Sequence, residues 1–321
     1  MNDVQAAGDY FGMNSQNIRI DGFSLVGNYA FDGAKNVEIH HATLMTKDAL
    51  WNCENVTVYD SQIIGEYLGW NSKNIRFVNC TIESDQGLCY MDNVKDQGLF
   101  ETMSRSGIWY TKDITITNST LQAPKLFRRA SQVKLAHVHF SDAEETLWNC
   151  QDITLNDVQA AGDYFGMNSQ NIRIDGFSLV GNYAFDGAKN VEIHHATLMT
   201  KDALWNCENV TVYDSQIIGE YLGWNSKNIR FVNCTIESDQ GLCYMDNVKL
   251  ENCTLLNTDL AFEYCRNIDA DVVSTIDSVK NPLSGRIHAQ AIGEIIMDDP
   301  EVDPHQTLIS VDHESRAPHA V

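Results

Sequence analysis

The chain has 321 residues, of which 43% are hydrophobic, and 44 acidic against 22 basic residues give a formal net charge of −22. The hydrophobic fraction is typical of a folded protein with a core and excludes a wholly disordered chain. The negative charge disfavours binding to nucleic acid or to an anionic membrane surface. No apolar run is long enough for a membrane-spanning helix. We therefore expect neither a nucleic-acid partner nor a membrane partner.

The first residues, Met1-Asn2-Asp3-Val4, lack the basic and apolar regions of a secretory signal peptide. The nine cysteines include no CxxC pair and no Cys/His cluster with metal-ligand spacing. We interpret them as reduced, small core residues. These features predict a cytoplasmic protein with no metal site and no cofactor.

The copied block is the first feature along the chain: residues 2–95 recur without one difference as residues 156–249. Sequence drift would have left differences, so the duplication is either very recent or engineered, and its exactness favours engineering. The copy ends abruptly at Lys95, where Asp96-Gln97 replaces the Leu250-Glu251 of the second copy.

A shorter repeat of 19 or 20 residues starts within this block and continues through most of the chain. Each repeat carries Asn or Asp, and once Gln, directly before Ile or Val. This marker position is occupied by Asn17, Asn36, Asn55, Asn74, Asn93, Asp113, Gln132, Asp152, Asn171, Asn190, Asn209, Asn228, Asn247 and Asn267. The markers define fourteen coils, and Arg286-Ile287 is a candidate start for a fifteenth.

Each coil contains two or three short strands. With the marker as position zero, positions +1 and +3 are apolar and +2 is polar, as in Ile18, Arg19 and Ile20. This alternation predicts a strand with one buried face, and positions +6 and +8, as in Phe23 and Leu25, predict a second. Such units exclude a leucine-rich or helical repeat. They predict an all-β fold, a right-handed parallel β-helix of about 14 to 15 coils, with its hand set by the general crossover preference.

Two further columns of the repeat have structural meaning. We expect the marker Asn residues to adopt the left-handed conformation at a corner and to hydrogen-bond from coil to coil as a ladder. Positions −6 and −5 vary in opposite senses, as in Phe11-Gly12 and Ala30-Phe31. We predict that both positions fill one core site whose volume stays roughly constant.

This pattern predicts a single continuous β-helix over residues 1–297, made of the duplicated coils 2–95, a junction coil 96–112 and the coils 113–297. Residues 298–321 are expected to be a C-terminal extension, partly disordered from His305 onward. In the junction coil, Asp96 stands where an apolar +3 residue is expected. The extra residue of this coil could swing Asp96 outward, and we expect this coil to be the weakest.

Several segments resemble a known family. They are Ser106–Lys112, Ala123–Arg129, Glu145–Cys150, Gly162–Ser169 and Ile276–Gly285. Over about residues 99–309 the chain is similar to an uncharacterised bacterial β-helix family, a domain of unknown function related in fold to the pectin-lyase-like proteins. The resemblance implies the fold, but that family has no agreed catalytic residues, so it implies no residue roles. The copied block replaces the N-terminal coils that family members would have, which again favours engineering.

Position −4 is the first candidate for chemistry, because it contains all six tryptophans and Arg128. The tryptophans are Trp51, Trp70, Trp109, Trp148, Trp205 and Trp224. If these rings point outward, they form an aromatic strip suited to stacking on sugar faces. If they pack against neighbouring loops, they are half-buried scaffold with a satisfied indole N–H. The sequence favours the scaffold interpretation and leaves the ligand strip open.

The second candidate is a mixed-charge group in which Arg128 and Arg129 lie one coil before Glu145. Its structural alternative is ordinary alternation of surface charge between coils. The chain has no carboxylate set at the coil spacing of a polygalacturonase, and no GxSxG, P-loop or HExxH motif. The paired histidines His40-His41 fit solvated surface. We therefore assign no catalytic residue.

These observations predict a structural or binding β-solenoid of unknown biochemical function. The alternative is a carbohydrate-binding or polysaccharide-degrading protein of pectin-lyase-like type. Its candidate ligand residues are the six tryptophans together with Arg128, Arg129 and Glu145. A third hypothesis is self-association through the open strand edges of the N-terminal coil, which begins at Met1.

Overall fold

A computed structural model describes residues 1–98 and 100–312, and for residues 100–105 it describes the backbone alone. The described residues form β-strands joined by turns and contain no α-helix. They therefore contain no helix that could cross a membrane. The contacts between residues group the chain into two compact units, one comprising Met1–Asn171 and one beginning at Ile172.

The first unit is a parallel β-solenoid in which each strand pairs with the equivalent strand of the next coil. Its strands are β1 (Asn2–Ala7), β2 (Gln16–Asn28), β3 (Lys35–Lys47), β4 (Glu54–Tyr59), β5 (Gln62–Gly65), β6 (Lys73–Val78), β7 (Thr81–Gly87), β8 (Asp92–Gln97), β9 (Phe100–Gly107), β10 (Lys112–Gln122), β11 (Ser131–Asp142) and β12 (Gln151–Ala161). All of the strand pairs described within this unit are parallel.

The second unit repeats this architecture. Its strands are β13 (Gln170–Val180), β14 (Lys189–Met199), β15 (Glu208–Tyr213), β16 (Gln216–Glu220), β17 (Lys227–Val232), β18 (Thr235–Asp239), β19 (Asp246–Leu256), β20 (Arg266–Lys280), β21 (Gly285–Ile296) and β22 (Thr307–Val311). The fold-class prediction is confirmed. The two units contain about 16 turns, slightly more than predicted, because β1 and β22 add incomplete turns at the ends.

The pairing register follows the predicted repeat. In the first unit Ile18 pairs with Val37, and Ile39 pairs with Val58. In the second unit Val210 pairs with Ile229. Each of these pairs joins residues 19 positions apart. Every side chain therefore lies on its own equivalent in the neighbouring coil, and equal positions form columns along each solenoid.

The core consists of the columns that the alternation predicted to be buried. At position +1, Val37, Val56 and Ile75 are fully buried, and Ile39 and Val58 are buried at +3. Residues at position −5 adopt a left-handed backbone conformation with positive φ, whether or not they are glycine.

Positions −6 and −5 share one core site, as predicted. Phe31 is buried with φ +61°, whereas Gly12 occupies the equivalent position of the preceding coil with φ +68°. A Cβ on Gly12 would lie 2.7 Å from the Phe31 ring. Glycine at −5 therefore leaves room for large side chains at the neighbouring −6 and −5 positions, which explains why the two positions vary in opposite senses.

The marker residues form the predicted ladder. The φ angles lie between +54° and +60° at Asn36, Asn55, Asn74 and Asn93. Each donates its side-chain N–H to the side-chain oxygen of the marker one coil before it, at 2.8 to 3.1 Å. The ladder in this block ends at Asn93, whose Oδ1 has no hydrogen-bond partner among the described residues. The next marker, Asp113, has a carboxyl group and therefore no side-chain N–H to donate.

The prediction for Asp96 is wrong in its direction. The side chain points inward and is 3% exposed, in the +3 column where Phe77 and Ile116 pair with it from the adjacent strands. Neither carboxylate oxygen has a hydrogen-bond partner within the described part of the chain. Burial raises the pKa of Asp96 to about 8. The in-register pairing of β8 with β6 and β10 holds position 96 on the core face.

The C-terminal boundary also differs from the expectation of disorder from His305 onward. Strand β22 pairs with β21 over Gly285↔Thr307 to Ala289↔Val311. Stacking therefore extends to Val311, beyond the predicted end of the β-helix at residue 297. Residues 313–321, for which disorder was also predicted, lie outside the described residues.

The buried Asp96 makes stability depend on pH. Because the folded state raises its pKa from 3.8 to about 8, the folded chain holds one more proton than the unfolded chain between these values. Stability should therefore fall as pH rises from about 4 to about 8, by on the order of 5 kcal/mol in total. We expect Asp96→Leu to raise the free energy of unfolding at pH 8 and to remove this slope, as measured by chemical denaturation across the pH range.

The second copy provides a matched control, since Leu250 occupies the equivalent position and is buried. Leu250→Asp should lower stability at pH 8 and add a second slope of the same sign. Equal stability of Asp96→Leu and the parent chain at pH 8 would contradict the assignment of a buried, unpaired carboxyl group.

Candidate functional site

The six tryptophans are half-buried, and the N–H groups of five are shown bonded to the backbone. In the first unit, Trp70 donates to the Gln86 carbonyl at 3.0 Å, and Trp109 donates to the Lys125 carbonyl at 2.7 Å. Trp51 donates in the same way to the Tyr67 carbonyl. In the second unit Trp205 and Trp224 bond the Tyr221 and Gln240 carbonyls. Each bond spans 16 residues and fixes the indole against the backbone of the following coil.

Four of the tryptophans form two stacked pairs. Trp51 and Trp70 stack with centroids 5.9 Å apart and an interplanar angle of 17°. The twin pair in the second unit, Trp205 and Trp224, stacks at 5.8 Å and 13°. A sugar stacks on a ring face, but in these pairs the stacking partner covers one face of each ring. This geometry supports a packing role for these four tryptophans.

From Trp70 a series of aromatic contacts passes into the adjacent −3 column of the first unit. Trp70 lies 5.4 Å from Tyr90, and Tyr90 stacks on Tyr110 at 5.0 Å with nearly parallel planes. Arg129 follows one coil later, with its guanidinium carbon 5.6 Å from the Tyr110 ring centroid. Its Nη1 donates a hydrogen bond of 2.8 Å to the Tyr110 hydroxyl. The column thus leads into a cationic group that occurs once in the chain.

Arg128 takes the place of an aromatic ring within the tryptophan column. Its guanidinium carbon lies 5.6 Å from the Trp109 ring and 4.6 Å from the Trp148 ring. The planar cation is therefore held between two indoles, which gives cation–π attraction on both faces. Burial lowers the pKa of the Arg128 guanidinium, and its Nε atom is buried without a hydrogen-bond partner among the described residues.

Glu145 neutralises part of this charge. One carboxylate oxygen, Oε2, pairs closely with Nη2 of Arg128 and lies 3.9 Å from Nζ of Lys125. The Glu145 side chain is 22% exposed. Arg129 has no carboxylate partner within 4 Å among the described residues. The group therefore presents one cation that is available to a ligand.

A cleft of about 250 Å³ opens beside these residues. It is lined by Trp109, Tyr110, Arg128, Arg129, Trp148 and Asn149. We call it the Arg128 cleft. Its lining combines indole and phenol surface with guanidinium and carboxamide hydrogen-bonding groups, and it contains no carboxylate.

The structure brings five of the nine predicted ligand residues together, namely Trp109, Trp148, Arg128, Arg129 and Glu145. Trp51 and Trp70 form a separate pair in the first unit, and Trp205 and Trp224 form a pair in the second. The sequence pattern also placed Asn149 beside the tryptophan strip as a group that could bond sugar hydroxyls, but it did not select Tyr110. Tyr110 occupies position −3, as Arg129 and Asn149 do, so their shared column was the available signal.

A second, shallower depression of about 520 Å³ lies at another corner of the first unit, beside His41, Asp60 and Asn79. His41 Nδ1 bonds the Asp21 carboxylate at 2.8 Å, and this bond raises the His41 pKa. Asn79 donates to Asp60 at 3.2 Å. The contacts run from coil to coil like those of the marker ladder, and the His41 side chain is 62% exposed. They fit a polar corner on the surface.

Metal-binding groups of three or more His, Cys, Asp or Glu side chains do not occur among the described residues. All nine cysteines are buried and none forms a disulfide. Burial raises the pKa of the Cys53, Cys150 and Cys207 thiols to about 12. These three thiols are therefore protonated near neutral pH and act as small core groups.

The fold and the cleft together define a parallel β-solenoid protein with one half-buried polar-aromatic cleft. The chain belongs to the family described as protein of unknown function DUF3737, whose model matches residues 1–97 and again residues 94–310. The double match agrees with the repeated block in the sequence. No curated protein sequence matches the chain.

Distant likenesses exist among solved structures. PfbA, a surface adhesin of Streptococcus pneumoniae, aligns with 74% of this chain and 84% of its own, at 12% identity and a TM-score of 0.40. The A-module of the mannuronan C-5 epimerase AlgE4 of Azotobacter vinelandii aligns with 100% of this chain and 89% of its own, at 11% identity and a TM-score of 0.23. These likenesses are too distant to indicate a ligand or an activity.

The packing role of the paired tryptophans can be tested by removing one indole N–H. Trp70→Phe keeps an aromatic ring but leaves the Gln86 carbonyl without its donor. We expect a loss of about 1 to 2 kcal/mol in the free energy of unfolding, measured by urea denaturation.

Trp224→Phe is the matched variant in the second unit, because Trp224 makes the same bond to the Gln240 carbonyl. It should cost a similar amount. A Trp70→Phe variant as stable as the parent chain would show that this N–H bond does not hold the ring in place.

Proposed function

We propose that this protein is a binding module that holds one carbohydrate ligand per chain in the Arg128 cleft. The observation that carries the proposal is the arrangement of Arg128 between Trp109 and Trp148, with Arg129 and Asn149 beside it. This is the place in the described chain where the aromatic column is interrupted by a cation and opens into a cleft.

The chemistry of the lining fits a sugar ring. Indole and phenol surfaces can cover the apolar C–H face of a sugar, while guanidinium and carboxamide groups can bond its hydroxyl oxygens. Arg129 donates to the Tyr110 hydroxyl through Nη1, and its other N–H groups could donate to a ligand in the cleft. A cleft of about 250 Å³ suits a small ligand or one unit of a longer chain.

Binding is favoured over turnover because the cleft lacks a carboxylate pair. Glycoside hydrolysis uses two carboxyl groups on either side of the scissile bond, one of them protonated. Glu145, an acid beside the cleft, is paired with Arg128 and Lys125. The lining residues contain no second acid.

Because one block of the sequence is duplicated, the number of ligands bound per chain tests where the ligand binds. The Arg128 cleft occurs once in the sequence, whereas Trp51 and Trp70 have exact twins in Trp205 and Trp224. Isothermal titration against a panel of neutral and acidic oligosaccharides should therefore give one site per chain. Two sites per chain would move the ligand to the paired tryptophans, and an absence of binding across the panel would leave a structural role.

Variants at the cleft should weaken this binding. We expect Arg129→Ala to raise the Kd roughly tenfold to a hundredfold, since a hydrogen bond from a charged donor contributes about 1.5 to 3 kcal/mol. Trp205→Phe is the control, because Trp205 belongs to the paired tryptophans of the second unit, and it should leave Kd unchanged. Loss of affinity in the control but not in Arg129→Ala would contradict the assignment.

A structural role is the second candidate function. It is favoured by the indole N–H bonds to the backbone and by the stacking of Trp51 on Trp70. Both observations support a packing role for Trp51 and Trp70.

A further inference from the structure

Cys234 and Cys253 are neighbouring thiols in the core of the second unit. They lie 19 residues apart, at position +6 of consecutive coils. Thr235 pairs in register with Thr254, and the Thr254 N–H donates to the Cys234 carbonyl at 2.9 Å. The two cysteines are therefore one strand spacing apart, about 4.8 Å between backbones. That separation falls within the Cα–Cα range that disulfides span, about 4.4 to 6.8 Å.

Both side chains point into the same part of the core, where they are 1% and 0% exposed. The neighbouring Cys253 thiol lowers the pKa of Cys234, whereas the Cys234 thiol and burial raise the pKa of Cys253. Cys234 Sγ also contacts the Val212 carbonyl at 3.4 Å, and Cys253 Sγ contacts the Phe231 carbonyl at 3.5 Å. The sulfur atoms thus make equivalent contacts and occupy the same column, one coil apart.

The copied block contains the same first cysteine without the second. Cys80 is the twin of Cys234, and its Sγ contacts the Val58 carbonyl at 3.4 Å, as Cys234 contacts Val212. The residue 19 positions after Cys80 is Leu99, whereas Cys253 follows Cys234. Burial raises the pKa of Cys80, in contrast to Cys234. The chain therefore contains a matched pair of sites that differ in the neighbouring thiol.

We propose that Cys234 and Cys253 form an oxidisable dithiol site that closes a disulfide between two consecutive coils. The oxidant is a low-molecular-weight disulfide such as oxidised glutathione. The Cys234 thiolate attacks one sulfur of the oxidant and releases one thiol, which leaves a mixed disulfide on Cys234. The Cys253 thiolate then attacks Sγ of Cys234 and releases the second thiol. One Sγ–Sγ bond forms, and both protons and both electrons leave with the two released thiols.

Cys234 attacks first in this sequence, and the same disulfide would form if Cys253 attacked first. Attack requires transient opening of the coil, since both sulfur atoms are buried. The measurement therefore has to reach equilibrium in the oxidant, which is established when the number of reactive thiols no longer changes with time.

The test counts thiols in the folded full-length chain. The protein is equilibrated with oxidised glutathione, quenched in acid, unfolded, alkylated with N-ethylmaleimide and weighed by intact-mass spectrometry. Of the nine cysteines, seven should be alkylated and two should be linked to each other without a glutathione adduct. Alkylation of all nine, or a stable glutathione adduct in place of the link, would overturn the proposal.

Two variants identify the pair. Cys253→Ala should form no internal disulfide, because Cys234 loses its partner: its cysteines should be alkylated, except that Cys234 can retain one glutathione. Cys80→Ala should still lose two thiols, as the parent chain does, because Cys80 has no neighbouring cysteine. Circular dichroism confirms that each variant is folded before oxidation. Loss of two thiols in Cys253→Ala would assign the disulfide to other cysteines and refute this pairing.

Discussion

In-register parallel stacking is the constraint on which both units depend. Because successive coils pair 19 or 20 residues apart, each side chain lies against its own equivalent in the next coil. A column is stable only when neighbouring side chains in it can hydrogen-bond, stack or pair their charges with one another. Asn does so by donating its side-chain N–H to the Asn side-chain oxygen of the preceding coil. Indoles do so by stacking. Opposite charges do so as well, as in the pair Lys35 and Glu54 and its twin Lys189 and Glu208.

The same constraint separates a candidate site from a defect. Arg128 replaces a ring in its column, but its guanidinium is flat and lies between Trp109 and Trp148. The column tolerates this exchange and gains a cation at the surface. Asp96 replaces an apolar residue in the +3 column, and nothing in the described core bonds its carboxylate. The pKa of Asp96 rises because the column cannot accept a charge. Both exchanges interrupt a column, and only the first produces a cleft that a ligand could use.

The sequence predicted the features that depend on period alone. The buried +1 and +3 columns, the Asn ladder and the shared −6/−5 core site followed from residues such as Val56, Asn55 and Phe31. The proximity of Trp109, Arg128 and Trp148 followed from their equal column position. The inward direction of Asp96 did not, because a 20-residue coil can place its extra residue on either side of a strand. The bond from Trp70 to the Gln86 carbonyl could not be predicted either, since it depends on the backbone conformation of the next coil. Strand β22 was missed because it lies in a segment that carries no marker residue.

Whole coils are interchangeable units because register fixes how they stack. Deletion of one coil in the first unit tests this most directly. Deletion of residues 36–54 removes one complete repeat and joins Lys35 to Asn55. Deletion of residues 36–44 removes fewer residues but leaves half a coil, which would place strand positions on the wrong face. Thermal unfolding followed by circular dichroism should show that the 19-residue deletion retains a cooperative transition and a higher Tm than the 9-residue deletion. A 9-residue deletion as stable as the whole-coil deletion would contradict the account.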